Sequence, residues 1–233
     1  MKKANLFTKI TILVLVLAVP GFLYYLLVTL GRNRYTALPV FGPKIVAKTT
    51  HRVKGKDIPD TIYHTLPDFK LTDQNGKPVT LKSLDNKIFV AGFFYTGCPN
   101  VCNQVNVNLK QVVANYAKNK MVYFLSITVD PKRDSADVLR KYAATLKPAS
   151  DRWLFLTGDT STIYNLSRKG FLVNALQAGS NDFIYSGKLM LIDESKRIRG
   201  YYTGASVDDV DRLDDEIKVL LSEEILKHDT PLY

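Results

Sequence analysis

An uncharged run of 21 residues, Ile10–Leu30 (ITILVLVLAVPGFLYYLLVTL), constrains this chain more than any other feature of its sequence. At ~1.5 Å per residue it reaches ~30 Å as a helix, the thickness of a bilayer's hydrocarbon core, and it predicts one transmembrane anchor. Pro20 and Gly21 fall mid-run, where membrane helices tolerate a kink, and Tyr24 and Tyr25 lie toward its second half. A cleaved signal peptide is the competing reading, because Lys2 and Lys3 precede the run and Thr29-Leu30-Gly31 offers a small-residue site. The run is too long for a signal core, which favours an uncleaved anchor. The formal charge of +10 gathers around this segment: ten basic residues and no acid occur up to Lys56, leaving 22 basic against 22 acidic over the remainder. A body without net charge argues against a nucleic-acid partner. Lys and Arg are nearly balanced on the two sides of the run, so charge does not orient it.

The chain is expected to comprise a short tail (1–9), the anchor (10–30), a basic tether (31–60) rich in Pro39, Gly42-Pro43 and Pro59, and a folded domain (61–233). Basic residues of the tether can rest on anionic headgroups or simply be solvated. Within the domain, residues 69–72 and 79–81 read as strands joined by an Asn75-Gly76 turn. The continuous apolar run 88–95 (IFVAGFFY) suits a central strand buried on both faces. A helix is predicted over 99–117, with Pro99 in its first turn, followed by a strand over 121–129, a helix over 135–146 and a strand over 153–156. A helix over 161–168, strands at 188–193 and 198–203, and a closing helix capped by Ser206 complete the pattern. Strands alternating with helices, then a hairpin and a last helix, describe an α/β sandwich with a mixed sheet.

The chain has two cysteines, Cys98 and Cys102, standing where a strand feeds a helix. Two thiols do not make a disulfide scaffold for a domain of this size. Four apart on one helix face, they lie within ~5–6 Å and can close a disulfide or share one metal ion. A helix N-terminus favours the thiolate form of Cys98. Gly97 and Pro99 mark a turn rather than a core position, which speaks against a pair of buried small hydrophobes. Zinc wants four N or S ligands, whereas His51, His64 and His228 are distant in sequence; copper(I) is content with two thiolates.

These residues resemble the Sco/SenC family. The resemblance rests on Leu66-Pro67-Asp68-Phe69, on Phe93-Phe94-Tyr95-Thr96-Gly97-Cys98-Pro99-Asn100-Val101-Cys102, and on Ser126-Ile127-Thr128-Val129-Asp130-Pro131-Lys132-Arg133-Asp134, and it covers about residues 60–226. It implies a thioredoxin-like fold, a central mixed sheet flanked by helices with an N-terminal hairpin, and a single-pass anchor in the bacterial inner membrane with the domain on the periplasmic side. It also implies a role in maturing the copper centre of cytochrome c oxidase, with the oxidase's copper-bearing subunit or another copper or thiol assembly protein as partner. Copper-binding members add a histidine just before the penultimate strand; here that segment runs from Asn181 to Ile192 and Tyr185 takes the place of the ligand. A neutral phenol is a poor ligand for copper(I), so copper on Cys98 and Cys102 is expected to be weakened.

Two functions from different classes remain. In the first the protein is a thiol-disulfide oxidoreductase, with Cys98 attacking a partner's disulfide and Cys102 resolving the mixed disulfide. In the second it is a metallochaperone passing copper(I) to the oxidase. Tyr185 favours the first. A peroxidase is a weaker third, because Thr96 stands two residues before Cys98 rather than three. His64 is expected to be a packing or surface histidine. Asp130 and Arg133 are candidates for an ion pair near the thiols, and Asp134 for the cap of the helix that follows.

Overall fold

The computed structural model describes residues 6–29, 37–53, 56–98, 101–179 and 183–229. The chain divides into two compact units, Met1–Thr36 and Ala37–Tyr233.

The first unit contains helix α1 (Leu6–Thr29), which covers most of the predicted anchor and begins ahead of it. Its apolar side chains from Ile12 to Tyr25 are exposed. Among the described residues no helix is long and apolar enough to cross a membrane; α1 has an unbroken stretch of described side chains only over 11–26.

The second unit opens with strands β1 (Lys44–Val53) and β2 (Lys56–Tyr63), paired antiparallel. The expected tether over 31–60 therefore holds a hairpin, and the expected domain start at 61 falls inside β2. The cause is strand propensity: β-branched residues recur along both strands, with Ile45 opposite Ile62 and Val46 opposite Thr61. A register shift between Val46 and Thr50 breaks the alternation that a period-two reading looks for. Ahead of the hairpin, Phe41 bridges to Ile198. The Arg199 guanidinium donates to the carbonyls of Leu38 at 2.6 Å and Pro39 at 3.2 Å, fastening residues 38–41 to the body.

The remaining elements follow the sequence closely. A short hairpin, β3 (Lys70–Thr72) with β4 (Pro78–Thr80), turns at Gly76, whose φ of +78° few side chains adopt. Then come β5 (Ile88–Phe94), α2 (Val101–Asn115), β6 (Val122–Thr128), α3 (Ala136–Leu146) and β7 (Trp153–Leu156). Helix α4 (Thr160–Asn165) runs into a π-type turn over Leu166–Gly170. Strands β8 (Ala175–Gln177) and β9 (Phe183–Tyr185) pair outside the main sheet; β10 (Lys188–Ile192), β11 (Ile198–Thr203) and α5 (Val207–Asp229) complete the chain.

The main sheet has the order β11-β10-β5-β6-β7, with β5, β6 and β7 parallel and β10 antiparallel to both its neighbours. Strand β5 alternates strictly between the two faces of the sheet. Ile88, Val90 and Phe94 of β5 meet Leu109, Val112 and Val113 of α2, Leu139 of α3, and Leu213 and Ile217 of α5 on one face. Phe89, Ala91 and Phe93 meet Leu71, Leu84, Ile163 and Phe171 on the other. Burial on both faces is why β5 reads as an unbroken apolar run. It also fixes where the thiols lie, because the loop after a central parallel strand opens at the carboxyl edge of the sheet, where α/β proteins place their chemistry.

Candidate functional site

Strand β5 ends at Phe94, and the chain turns at once: the Cys98 amide donates to the Tyr95 carbonyl at 3.2 Å. Cys98 is half-buried in this turn, ahead of α2, and so does not share a helix face with Cys102 as the spacing suggested. Helix α2 begins at Val101; the predicted role of Pro99 in a first turn lies outside the described residues. Cys98 is disulfide-bonded. Cys102, the one other cysteine in the sequence, stands in the first turn of α2, and its side chain lies outside the described residues.

Tyr185, the last residue of β9, reaches this turn. Its hydroxyl lies 3.2 Å from Cys98 Sγ. A disulfide sulfur has no proton, so the phenol is the donor. The ring stacks edge-on against Tyr95 at 5.9 Å between centroids, and Tyr95 packs against Phe183 at 5.0 Å. Burial, and then the neighbouring Tyr95 and Tyr142 hydroxyls, push the Tyr185 phenol up to about 12, so it remains protonated at neutral pH. Pairing of Tyr185 with Ala175, and a Ser186 amide that donates to the Asn174 carbonyl at 3.0 Å, hold β9 in place.

Beneath the turn lies a carboxylate that sequence reasoning assigned elsewhere. Asp134 does not cap α3; Ser135 does, its side chain accepting from the Val138 amide. Instead Asp134, 1% exposed, accepts from the Thr96 amide at 3.1 Å, from the Thr96 hydroxyl at 2.5 Å and from the Thr128 hydroxyl. It thereby ties the exit of β5 to the end of β6. The one hint in the sequence was the threonine ahead of the Gly97-Cys98 pair, a hydroxyl donor next to the thiol turn. Arg133 pairs with Asp130 at 3.4 Å, as expected. On α2, the Asn106 amide donates to the Tyr142 hydroxyl, which ties α2 to α3.

The three histidines are engaged elsewhere. His51 meets Asp60 at 2.6 Å, His228 meets Glu194 at 2.8 Å, and His64 Nε2 sits 2.7 Å from the Gly170 carbonyl, a packing role. Among the described residues no group of three or more His, Cys, Asp or Glu side chains could hold a metal ion. The donor set at the turn is thus sulfur from Cys98, sulfur from Cys102 by sequence, and a protonated phenol. Two thiolates suit copper(I), but the third position supplies a hydrogen-bond donor rather than a lone pair free for a metal.

A disulfide-bonded cysteine at the carboxyl end of a central parallel strand, in a sheet with an antiparallel arm and helices on its faces, defines the class: an α/β protein of thioredoxin-like architecture. The SCO1/SenC family model matches residues 60–222, and the chain belongs to that family. It is 27% identical over 167 residues to the SCO1 protein homolog of Bacillus subtilis, covering 70% of this chain and 86% of that protein. Among solved structures it resembles BsSco, described as a member of the Sco family of cytochrome c oxidase assembly proteins with a disulfide switch. That match has 25% identity and a TM-score of 0.60, covering 67% of this chain and 93% of the other. ScoI of Bradyrhizobium japonicum, solved with copper bound, matches at 26% identity and a TM-score of 0.58, covering 67% and 99%.

Proposed function

We propose that this protein is a membrane-anchored dithiol reductant in the assembly of the cytochrome c oxidase copper centre, with its domain on the periplasmic side of a bacterial inner membrane. The observation that carries this reading is the disulfide-bonded Cys98 with the Tyr185 hydroxyl on its sulfur. The uncharged run 10–30 supports the anchor. The oxidase role follows from the family and from the description of BsSco. The Cys98 thiolate attacks one sulfur of a partner's disulfide, forming a mixed disulfide and releasing the partner's other sulfur as a thiol. Cys102 then attacks Cys98 Sγ, closing the intramolecular disulfide and releasing the partner's second thiol. Two electrons and two protons pass to the partner, and a reduced dithiol donor returns them to the protein. A phenol O–H beside Cys98 gives the thiolate a donor at each stage, as a negatively charged sulfur requires.

Copper(I) is the alternative cargo, favoured by the copper-bound relative and held here by Cys98 and Cys102 alone. The two readings part on which function survives loss of a single thiol. Reduced full-length protein is incubated with a disulfide-linked peptide and the products are resolved by mass. Cys102→Ser is expected to accumulate the mixed disulfide on Cys98, and Cys98→Ser to accumulate none. Exchange by Cys98→Ser at the unmodified protein's rate would overturn the assignment.

A further inference from the structure

Helices α2 and α5 leave a groove between them that begins at the thiol edge of the sheet. Strands β5 and β11 are both antiparallel to β10 and so run parallel to each other. Each is followed by its helix, so α2 and α5 both start at the carboxyl edge, where Cys98 lies. Two ties join the helices. Near that edge the Asn108 amide donates to the Gly204 carbonyl at 3.0 Å. About two turns further on, the Asn115 amide donates to Asp214 Oδ1 at 3.2 Å and the Tyr116 hydroxyl to the Asp214 carbonyl at 2.9 Å. The near tie reaches the site itself: the Gly204 amide donates to the carbonyl of Gly187 at 3.0 Å, two residues past the Tyr185 whose hydroxyl meets Cys98.

Between the ties lies a groove of ≈ 580 Å³ with the buried Val112 and Val210 in its lining. Val107 and Val207, 51% and 60% exposed, stand toward its thiol end. A spacing of four then places Val207, Asp211 and Asp215 in one row along α5. Three acids of the groove share one cation: Lys218 pairs with Asp214 at 2.8 Å and with Asp215 at 2.9 Å, and Asp211 has no ion pair among the described residues. Lys110 does not offset them, since it follows Asn106 by one turn and shares the flank of α2 that is tied to α3.

We propose that this groove receives a cationic segment of the protein whose disulfide Cys98 reduces, with an apolar side chain on Val107 and Val207 and lysine or arginine against Asp211 and Asp215. The inference rests on the reductant reading and names the class of its partner. Continuity with the thiol site and the unbalanced acids select this occupant. The same face of a second copy would set acid against acid, and an anionic lipid surface would be repelled. The row from Val207 to Asp215 spans ~12 Å, which about four extended residues cover.

The test measures thiol exchange by the reduced full-length protein in detergent. Its substrates are peptides with one cysteine capped by mercaptoethanol, then two leucines, and about four residues on either two lysines or two glutamates. Exchange frees the peptide thiol and mercaptoethanol and closes the protein's own disulfide, so two electrons pass and no other reductant is needed. Bis(2-hydroxyethyl) disulfide, too small to reach the groove, gives the reference rate. The native protein is expected to reduce the lysine peptide about tenfold faster than the glutamate peptide, with the preference shrinking as salt is added. Asp211→Lys is expected to bring the ratio of the lysine-peptide rate to the reference rate down by about the same factor. Asp137→Lys, the same charge change on α3, is expected to keep that ratio. Equal rates for the two peptides, with the reference disulfide reduced, would leave the reductant reading standing and overturn the groove. Equal loss of the ratio in Asp211→Lys and Asp137→Lys would assign the preference to net charge and overturn it as well. Failure to reduce any of the three disulfides would remove the reductant reading and the inference with it.

Discussion

Asp134 and Asp193 are both buried, at 1% and 0% exposure, yet opposite chemistries satisfy them. Asp134, under the thiol turn, is held by two threonine hydroxyls and a backbone amide. Asp193, at the far end of β10, faces two guanidinium groups, Arg197 at 3.0 Å and Arg199 at 3.3 Å, and accepts the Arg197 amide at 2.9 Å. Arg199 in turn grips Glu223 of α5 at 2.7 Å and the carbonyls of residues 38 and 39. Ion pairs fasten the chain's N-terminal arm to the sheet, whereas neutral donors set the shape of the reactive turn. The difference is instructive. A fixed cation next to Cys98 would bias the thiolate permanently, while hydroxyl donors hold the backbone and leave the sulfur's charge to Tyr185.

The sharpest way to break this comparison is at its charged end. Arg199→Met removes one of the two guanidinium partners of buried Asp193 and the guanidinium partner of Glu223, and is expected to cost about 3 kcal/mol in denaturant unfolding. Proteolysis near residues 38–41 should then rise as the arm detaches. Asp134→Asn is expected to cost less, about 1–3 kcal/mol, since it turns an acceptor toward donors it no longer matches. It should also slow thiol exchange, because Thr96 and hence the Cys98 turn lose their anchor. Equal destabilisation by the two variants, with exchange unaffected in Asp134→Asn, would erase the distinction.

Tyr185→Phe is expected to move stability by no more than ~1 kcal/mol. The lost hydrogen bond matters most to the reduced form, so the disulfide potential should fall by about 10–30 mV, read by equilibration with a dithiol buffer. An unchanged potential would mean that the phenol serves only packing. The smallest effect concerns a half-buried carboxylate. Asp209 accepts the Thr203 amide at 2.8 Å and pairs with Arg212, and the amide first, then the guanidinium, hold it down at about 2. A depressed carboxylate stabilises the fold above its unfolded value near 3.8 and loses that contribution as the pH falls toward 2. Asp209→Asn should flatten the acid limb of the stability curve between those values and leave neutral pH nearly unchanged.

Much of this molecule was legible in its sequence because its elements obey local rules. The run 88–94 is apolar without a break and is buried on both faces; Ser135 and Ser206 stand where helices begin. The β1–β2 hairpin escaped because basic residues and a register shift mask its alternation. At the site, Cys98 was found from the spacing of the cysteines and Tyr185 from the resemblance to the Sco/SenC family, and the structure puts them 3.2 Å apart. Asp134 was misassigned because a helix cap and a buried acceptor look alike in one dimension: each is an acid ahead of an apolar pattern. The Asp193, Arg199 and Glu223 network was missed outright, since its members lie up to 30 residues apart and only the packing of α5 on the sheet joins them.

The central claim is that Tyr185 gives Cys98 a hydrogen-bond donor at the place where the family resemblance puts the histidine ligand of copper-binding members. An anaerobic copper(I) competition titration of the reduced full-length protein, beside Tyr185→His, tests it most directly. The account predicts that the native protein yields its copper readily to a chelator and that Tyr185→His holds it markedly more tightly. Tight one-to-one copper(I) binding by the native protein, unchanged in Tyr185→His and lost in Cys102→Ser, would contradict it.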